Sequence, residues 1–234
     1  MCFVTSAEKI IAALDLQSRE EVLEVLDMLP DVRFVKVGME LFYSTGPGLV
    51  TMLKDRGLRV FLDLKIHDIP NTAYGAIKSL SKLGCDLLNL HCAGGLEMMK
   101  RARDAVVGDT KLIGVTQLTS IDQTVLNEQL GIEGTVEDCV LHYANLAKQA
   151  GLHGVVCSPN EVSMIKTAFG PSFLAVTPGV RPHGSHSQDQ KRTMTPKEAV
   201  QAGSDYLVIG RPILASPDPQ QAFNDILREI EVAS

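Results

Sequence analysis

No run of apolar residues in this chain approaches the ~18 needed to cross a bilayer as a helix. The N-terminus also lacks a charged segment followed by an apolar run and a small-residue cleavage site. A soluble, cytoplasmic protein with no membrane attachment is the expectation. Cations are in the minority: 22 Lys+Arg against 28 Asp+Glu leave a formal charge of −6. That argues against a broad surface for nucleic acid or anionic lipid, because both need basic patches. A small anion is not excluded, since a local cluster of cations suffices to hold one. The five cysteines (Cys2, Cys85, Cys92, Cys139 and Cys157) are odd in number and form no C-x-x-C pair, so reduced thiols are expected and a disulfide framework is not. Linkers, repeats, low-complexity tracts and a glycine-rich dinucleotide fingerprint are likewise missing.

What the chain does have is enough apolar material for a core. It is 45% hydrophobic and only 21% charged, which rules out disorder, and its 234 residues sit at the upper edge of one domain. Eight short apolar runs recur: Ile10 to Leu14, Phe34 to Val37, Leu58 to Leu64, Leu87 to Leu90, Leu112 to Thr116, Gly154 to Cys157, Phe173 to Thr177 and Tyr206 to Ile209. They are rich in Val, Ile and Leu without strict polar alternation, as strands buried on both faces of a parallel sheet are.

Helix signals fill the intervals. Ser18 and Glu21 form a capping-box pattern ahead of Val22, Val25, Leu26 and Leu29, and Pro30 stops that run. Thr195, Pro196 and Glu198 repeat the start signal, while Asp218 and Pro219 open a last helix with Ala222, Phe223, Ile226, Leu227 and Ile230 on one face. Further helices are expected near 47–56, 70–83, 95–107, 136–150 and 160–168. The longest interval, between the fifth and sixth strands, leaves room for an extra segment near 120–134. Eight strands alternating with eight helices predict an α/β fold, a (β/α)8 TIM barrel occupying residues 1–234 as a single domain. An open doubly wound sheet is the second choice, and no dinucleotide fingerprint supports it.

In such a barrel the chemistry sits at the carboxyl ends of the strands. Those ends are polar here: Asp15, Lys36, Asp63 and Lys65, His91, then Thr116, Gln117 and Thr119, Ser158, Arg181, and Gly210 with Arg211. Scattered surface polarity would not select one end of nearly every strand. Asp63 and Lys65, two apart on a strand, should both project toward the barrel mouth, with Asp68 on the loop beyond and Lys36 on the neighbouring strand. A structural ion-pair network is the alternative reading of these charges. Two carboxylates beside Lys65 favour its ammonium form, which suits a proton donor and does not suit a Schiff-base nucleophile.

Gly210-Arg211 lies where such barrels often bind phosphate, the glycine allowing close backbone approach and the arginine a fork of donors; a surface arginine after a turn is the plainer reading. Residues 179–192 are nearly devoid of apolar side chains and read as a lid over ligand, with Arg181 and Gln190 as contacts, or else as a disordered surface loop. His67 and His91 are candidates to line the site, and His142 and His153 look structural. His183 and His186 have an H-x-x-H spacing, but no helix periodicity or carboxylate pair accompanies it. A metal on Asp63, Asp68 and His67 is disfavoured because the Lys65 ammonium competes for the carboxylates. No metal or other cofactor is expected.

The stretch Asp63-Leu64-Lys65-Ile66-His67-Asp68-Ile69-Pro70-Asn71-Thr72 resembles the D-x-K-x-x-D-I-P-N-T signature of the orotidine 5'-phosphate decarboxylase family. Other matching pieces follow in order: Ala-Leu-Asp15, Lys36-Val-Gly38, Val115 to Ser120, Val156 to Pro159, Thr177 to Pro182 with Gln190, and Ile209 to Ile213. The likeness covers the whole chain and is to the short monofunctional bacterial form. It implies a homodimeric, cofactor-free enzyme that converts orotidine 5'-phosphate to UMP, the last step of pyrimidine nucleotide synthesis. It further implies that Lys65 protonates C6, within a tetrad completed by Lys36, Asp63 and Asp68, with Asp68 and Thr72 reaching into the partner's site. Asp15 and Lys36 would hold the ribose hydroxyls, Thr119 and Ser158 the ribose or pyrimidine end, and Arg181, Gln190, Gly210 and Arg211 the phosphate region. Two rivals are a metal-dependent sugar-phosphate decarboxylase, aldolase or epimerase on the same barrel, whose relatives keep D-x-K-x-x-D but not I-P-N-T, and a catalytically silent nucleotide-binding barrel.

Overall fold

The apolar runs become eight parallel strands: β1 (Ile10–Leu14), β2 (Phe34–Gly38), β3 (Arg59–Ile66), β4 (Leu87–His91), β5 (Lys111–Val115), β6 (Gly154–Val156), β7 (Leu174–Thr177) and β8 (Tyr206–Ile209). Each pairs with the next, and β8 pairs with β1, which closes the barrel. The computed structural model describes residues 6–182 and 193–232. Gln190, His183 and His186, and most of the 179–192 segment expected to form a lid, lie outside them.

Helices connect the parallel strands and flank the barrel at both ends of the described chain: α1 (Ser6–Lys9), α2 (Arg19–Asp27), α3 (Met39–Thr45), α4 (Gly48–Asp55), α5 (Pro70–Ser81) and α6 (Gly95–Asp104). They continue with α7 (Val136–Gln149), α8 (Val162–Phe169), α9 (Pro196–Gln201), α10 (Arg211–Leu214) and α11 (Pro219–Glu231). The starts are chemically marked. Ser18 with Glu21, Thr135 with Asp138 and Thr195 with Glu198 close reciprocal capping boxes, and Asp218 caps α11 ahead of Pro219. Three short helices, α1, α3 and α10, fall outside the expected set; α3 follows β2 directly, its Phe-Tyr-Ser-Thr end giving little helical signal. The extra segment expected near 120–134 is present and contains a π turn, Val125–Gln129.

Alternation along the strands divides the core into two layers. Ile11, Ala13, Phe34, Phe61, Leu87, Ile113, Val176, Tyr206 and Val208 fill the barrel interior, whereas Ile10, Ala12, Leu14 and their counterparts pack outward against the helices. At the amino end of the barrel, Arg59 lies 4.3 Å over the Phe34 ring and pairs with Asp86, sealing that face. The opposite end stays open for chemistry.

Strands β6 and β7 approach each other closely enough to require glycine. A Cβ at Gly154 would run into the backbone carbonyl and Cβ of Leu174 on β7. Gly154→Ala should therefore lower the free energy of unfolding by about 1–3 kcal/mol, read from the urea midpoint; an unchanged midpoint would show that the β6–β7 contact relaxes freely.

Candidate active site

The carboxyl ends of the strands surround a cavity of about 250 Å³. Its polar lining is Lys36, Asp63, Lys65, Gln117, Thr119 and Ser120; its apolar lining is Phe61, Val115, Leu118, Val156, Cys157, Pro178 and Val208. Cations on one side and a dry wall on the other suit a flat, partly anionic ligand.

Asp63 organises the charged side. Lys65 Nζ donates to Asp63 Oδ1 at 2.8 Å, Asn89 Nδ2 donates to the same oxygen at 2.6 Å, and Lys36 Nζ lies 3.7 Å from Asp63 Oδ2. Lys36 also donates to Asp15 Oδ1 at 3.1 Å, so the network runs from the end of β1 through β2 to β3 and β4. Burial alone would raise the pKa of Asp63, but the fields of Lys36 and Lys65 and the hydrogen bonds from Lys65 and Asn89 outweigh it and hold the carboxyl below its usual value. Each oxygen faces an ammonium, an arrangement that competes with any divalent cation.

Asp63 and Lys65 meet, but not through regular strand alternation. Lys65 has φ +50°, and it alone among the described non-glycine residues has a positive φ. Such a backbone costs about 1–3 kcal/mol and persists only where surrounding contacts enforce it. The β3–β4 register shifts here, Leu62 pairing with Leu88 and Ile66 with Leu90, so β3 carries two more residues than β4 over this stretch. The bulge turns Lys65 back over Asp63, and the Lys65 N–H is satisfied by the Asn89 side chain at 2.8 Å.

Two glycines make room for the outer pair. A Cβ at Gly38 would stand 3.0 Å from Lys36 Nζ, and one at Gly210 would stand 3.0 Å from Asp15 Oδ2 and 3.3 Å from Ala13 Cβ. The close backbone approach expected of Gly210 is thus made toward Asp15. Arg211, exposed, opens α10 immediately after it. Arg181 is 9% exposed, and its Nη1 donates to its neighbour's carbonyl, Val180 O, at 2.9 Å.

Other expected residues stand apart from the cavity. Ser158 is fully buried behind Cys157, its hydroxyl capping a 3₁₀ turn at Pro159–Glu161. Within the chain, Asp68 stays outside the charged network: it is exposed and accepts a 2.7 Å hydrogen bond from the N–H of Ile69. Thr72, also exposed, lies in the first turn of α5. His67 and His91 pair with each other, ring centroids 5.5 Å apart, beside the cavity instead of lining it. Burial, then the neighbouring His67 and Lys65, push the His91 pKa down. Asn89, 1% exposed, was not anticipated; its one signal is a polar interruption of the Leu87-Leu88-Asn89-Leu90 run.

A family profile described as "Orotidine 5'-phosphate decarboxylase / HUMPS family" matches residues 8–226. The chain belongs to that family. Every residue of the charged network falls within the matched span. A protein named orotidine 5'-phosphate decarboxylase from Staphylococcus saprophyticus is 50% identical over 219 residues, covering 92% of this chain and 95% of the relative. One of the same name from Streptococcus suis is 49% identical over 221 residues, covering 94% and 96%. Among solved structures, that of orotidine 5'-phosphate decarboxylase from Lactobacillus acidophilus superposes with a TM-score of 0.84 at 42% identity, covering 94% of this chain and 98% of that one.

The shifted groups make stability pH-dependent in a defined direction. Asp63 has a folded pKa below its unfolded value of about 3.9, so its contribution is complete above about pH 4 and lost as pH falls through the folded value. His91, favoured neutral in the fold, likewise costs no stability above its unfolded pKa of about 6.5 and destabilises as pH falls below it. Urea titrations should therefore show stability declining from neutral to acid pH. Asp63→Asn should flatten the part below about pH 4 and His91→Asn the part near pH 6; unaltered pH profiles in both variants would contradict these assignments.

Proposed function

We propose that the chain decarboxylates orotidine 5'-phosphate to UMP, a step of pyrimidine nucleotide synthesis, without a cofactor and with Lys65 as the proton donor. The observation that carries the reading is the Lys65 ammonium held 2.8 Å from an ionised Asp63 at the wall of a cavity of about 250 Å³.

The reaction breaks the bond between C6 and the carboxylate, CO2 departs, and the electron pair stays on C6 in an orbital lying in the ring plane. That pair cannot delocalise into the ring, so the barrier is high and the required acceleration lies toward the upper part of the ~10⁶ to 10¹⁷ range. A preorganised ammonium stabilises the developing carbanion, and far more effectively in a dry site than in water. Lys65 then transfers its proton to C6, forming the C–H bond of UMP, and is reprotonated from solvent. Phe61, Val156, Pro178 and Val208 supply the dry wall.

Binding is assigned around this centre. Asp15 and Lys36, paired with each other, face the ribose hydroxyls, and Thr119 serves the ribose or pyrimidine end from the cavity lining; Ser158, fully buried with its hydroxyl capping the Pro159–Glu161 turn, makes no direct ligand contact in this reading. Gly210, Arg211, Arg181 and Gln190 take the phosphate. Binding energy from a phosphate remote from C6 can be used to close the site around the reacting atoms.

The working unit in this proposal is a cytoplasmic homodimer. Asp68 and Thr72 are exposed on one chain and would complete the site of the other. A large apolar side chain accompanies them: Ile69, next to Asp68, is 68% exposed, as expected of a surface that a second copy covers. No described helix is long and apolar enough to cross a membrane.

Folded wild-type protein should release CO2 from orotidine 5'-phosphate; no release would sink the proposal. Lys65→Ala should lower kcat by at least about 10²–10⁴-fold with UMP affinity retained, and near-normal turnover would remove Lys65 as donor. Arg211→Ala should instead raise KM and the UMP Kd by about 10–100-fold, the equivalent of one charge-assisted contact.

A further inference from the structure

The bulge that aims Lys65 leaves a problem of its own. Over Asp63 to Lys65 the regular β3–β4 ladder is interrupted, yet a backbone N–H at a strained residue still needs an acceptor. Asn89 sits on β4 between Leu88 and Leu90, 1% exposed, where a leucine would pack without burying an amide. Its carbonyl accepts from the Lys65 N–H at 2.8 Å and its amino group donates to Asp63 Oδ1 at 2.6 Å. The amide cannot be turned round, because the Lys65 N–H can only donate and an ionised Asp63 can only accept. One side chain therefore grips both the backbone of the proton donor and the carboxylate that orients its ammonium.

We propose that Asn89 is a positioning residue for the decarboxylation, holding the Lys65 turn and the Asp63 carboxylate in a single geometry. This rests on the function proposed above. Asn89 is buried and is not among the residues lining the described cavity, so it acts through Lys65 and Asp63 and not on the substrate. Displacing the ammonium by about 1 Å is enough to cost on the order of 10²-fold in rate. The ionisable groups around Asp63 are Lys36 from β2, Lys65 on its own strand and His91 at the end of β4; Asp15 touches Lys36, and the His67 ring lies tilted against His91.

Two variants separate the two halves of the grip. Asn89→Asp preserves shape and the acceptor for Lys65 but replaces the donor to Asp63 with a repelling carboxylate. Asn89→Ala removes both contacts without crowding. For each, kcat and KM with orotidine 5'-phosphate, the Kd for UMP, and the carboxyl titration of Asp63 by carbon NMR are measured. Loss of about 10²-fold in kcat is expected, with KM and UMP affinity within roughly threefold of wild type. The Asp63 titration should move up by about one pH unit or more in Asn89→Asp and upward in Asn89→Ala. A purely structural amide would lower the unfolding midpoint while leaving kcat per folded molecule and the Asp63 titration unchanged, and that result overturns the proposal. Should wild-type protein fail to turn over the substrate, the functional reading falls, while the Asp63 titration in either folded variant still decides whether the grip exists.

Discussion

A carboxylate buried between two ammonium groups is the constraint on which this structure turns. Asp63 is 8% exposed, and a lone charge at that depth would be neutralised or expelled. It stays ionised because Lys36, Lys65 and Asn89 surround it, each delivered by a different part of the barrel. The dependence is mutual. Removing Asp63 would leave two ammonium groups near each other at the barrel mouth, so the charged cluster must be complete or absent. A parallel barrel is well suited to hold it, since neighbouring strand ends lie side by side and their registers are pinned by two buried layers of side chains.

The same cluster explains why the chain tolerates a strained residue within a barrel strand. Lys65 at φ +50° lies in a strand whose neighbours are regular, and the cost is met by bonds that only this conformation allows: Lys65 N–H to Asn89 and Lys65 Nζ to Asp63. Strain and ion pairing thus fix the ammonium before any ligand arrives. Preorganisation of that kind is what electrostatic catalysis of carbanion formation requires, because a donor that had to reorient during the reaction would spend its advantage on reorganisation. Farther out the demands relax. Asp15 is over half exposed and Arg211 lies at the surface, both in reach of water.

Much of the fold was legible in the sequence for a physical reason. Strands buried on both faces must be apolar throughout, so β1 and β8 could be bounded to the residue, and helix starts carried explicit caps at Ser18, Thr195 and Asp218. Helix α3 was not legible, because its Phe, Tyr, Ser and Thr have weak helical preference and packing alone decides its conformation. For the site, polar residues at strand ends pointed to the rim where the cavity lies, and the D-x-K-x-x-D stretch to a strand that lines it. The turn at Lys65 left no trace in composition, since backbone strain is imposed by tertiary contacts and not by the strained residue's type. Asn89 left only a polar gap in an apolar run. Asp68 illustrates the opposite case: its position in the motif was plain, yet the side chain is exposed and its described hydrogen bond is a local one, from the Ile69 N–H.

The most direct test is a crystal structure with UMP or an anionic analogue of the transition state bound. The account requires Lys65 Nζ within hydrogen-bond distance of the C6 position, Lys65 still at positive φ, Asp63 between Lys36 and Lys65, and Asp68 of a second chain entering the site. A ligand whose C6 faces away from Lys65, or a Lys65 that relaxes into regular strand geometry when the site fills, would contradict it.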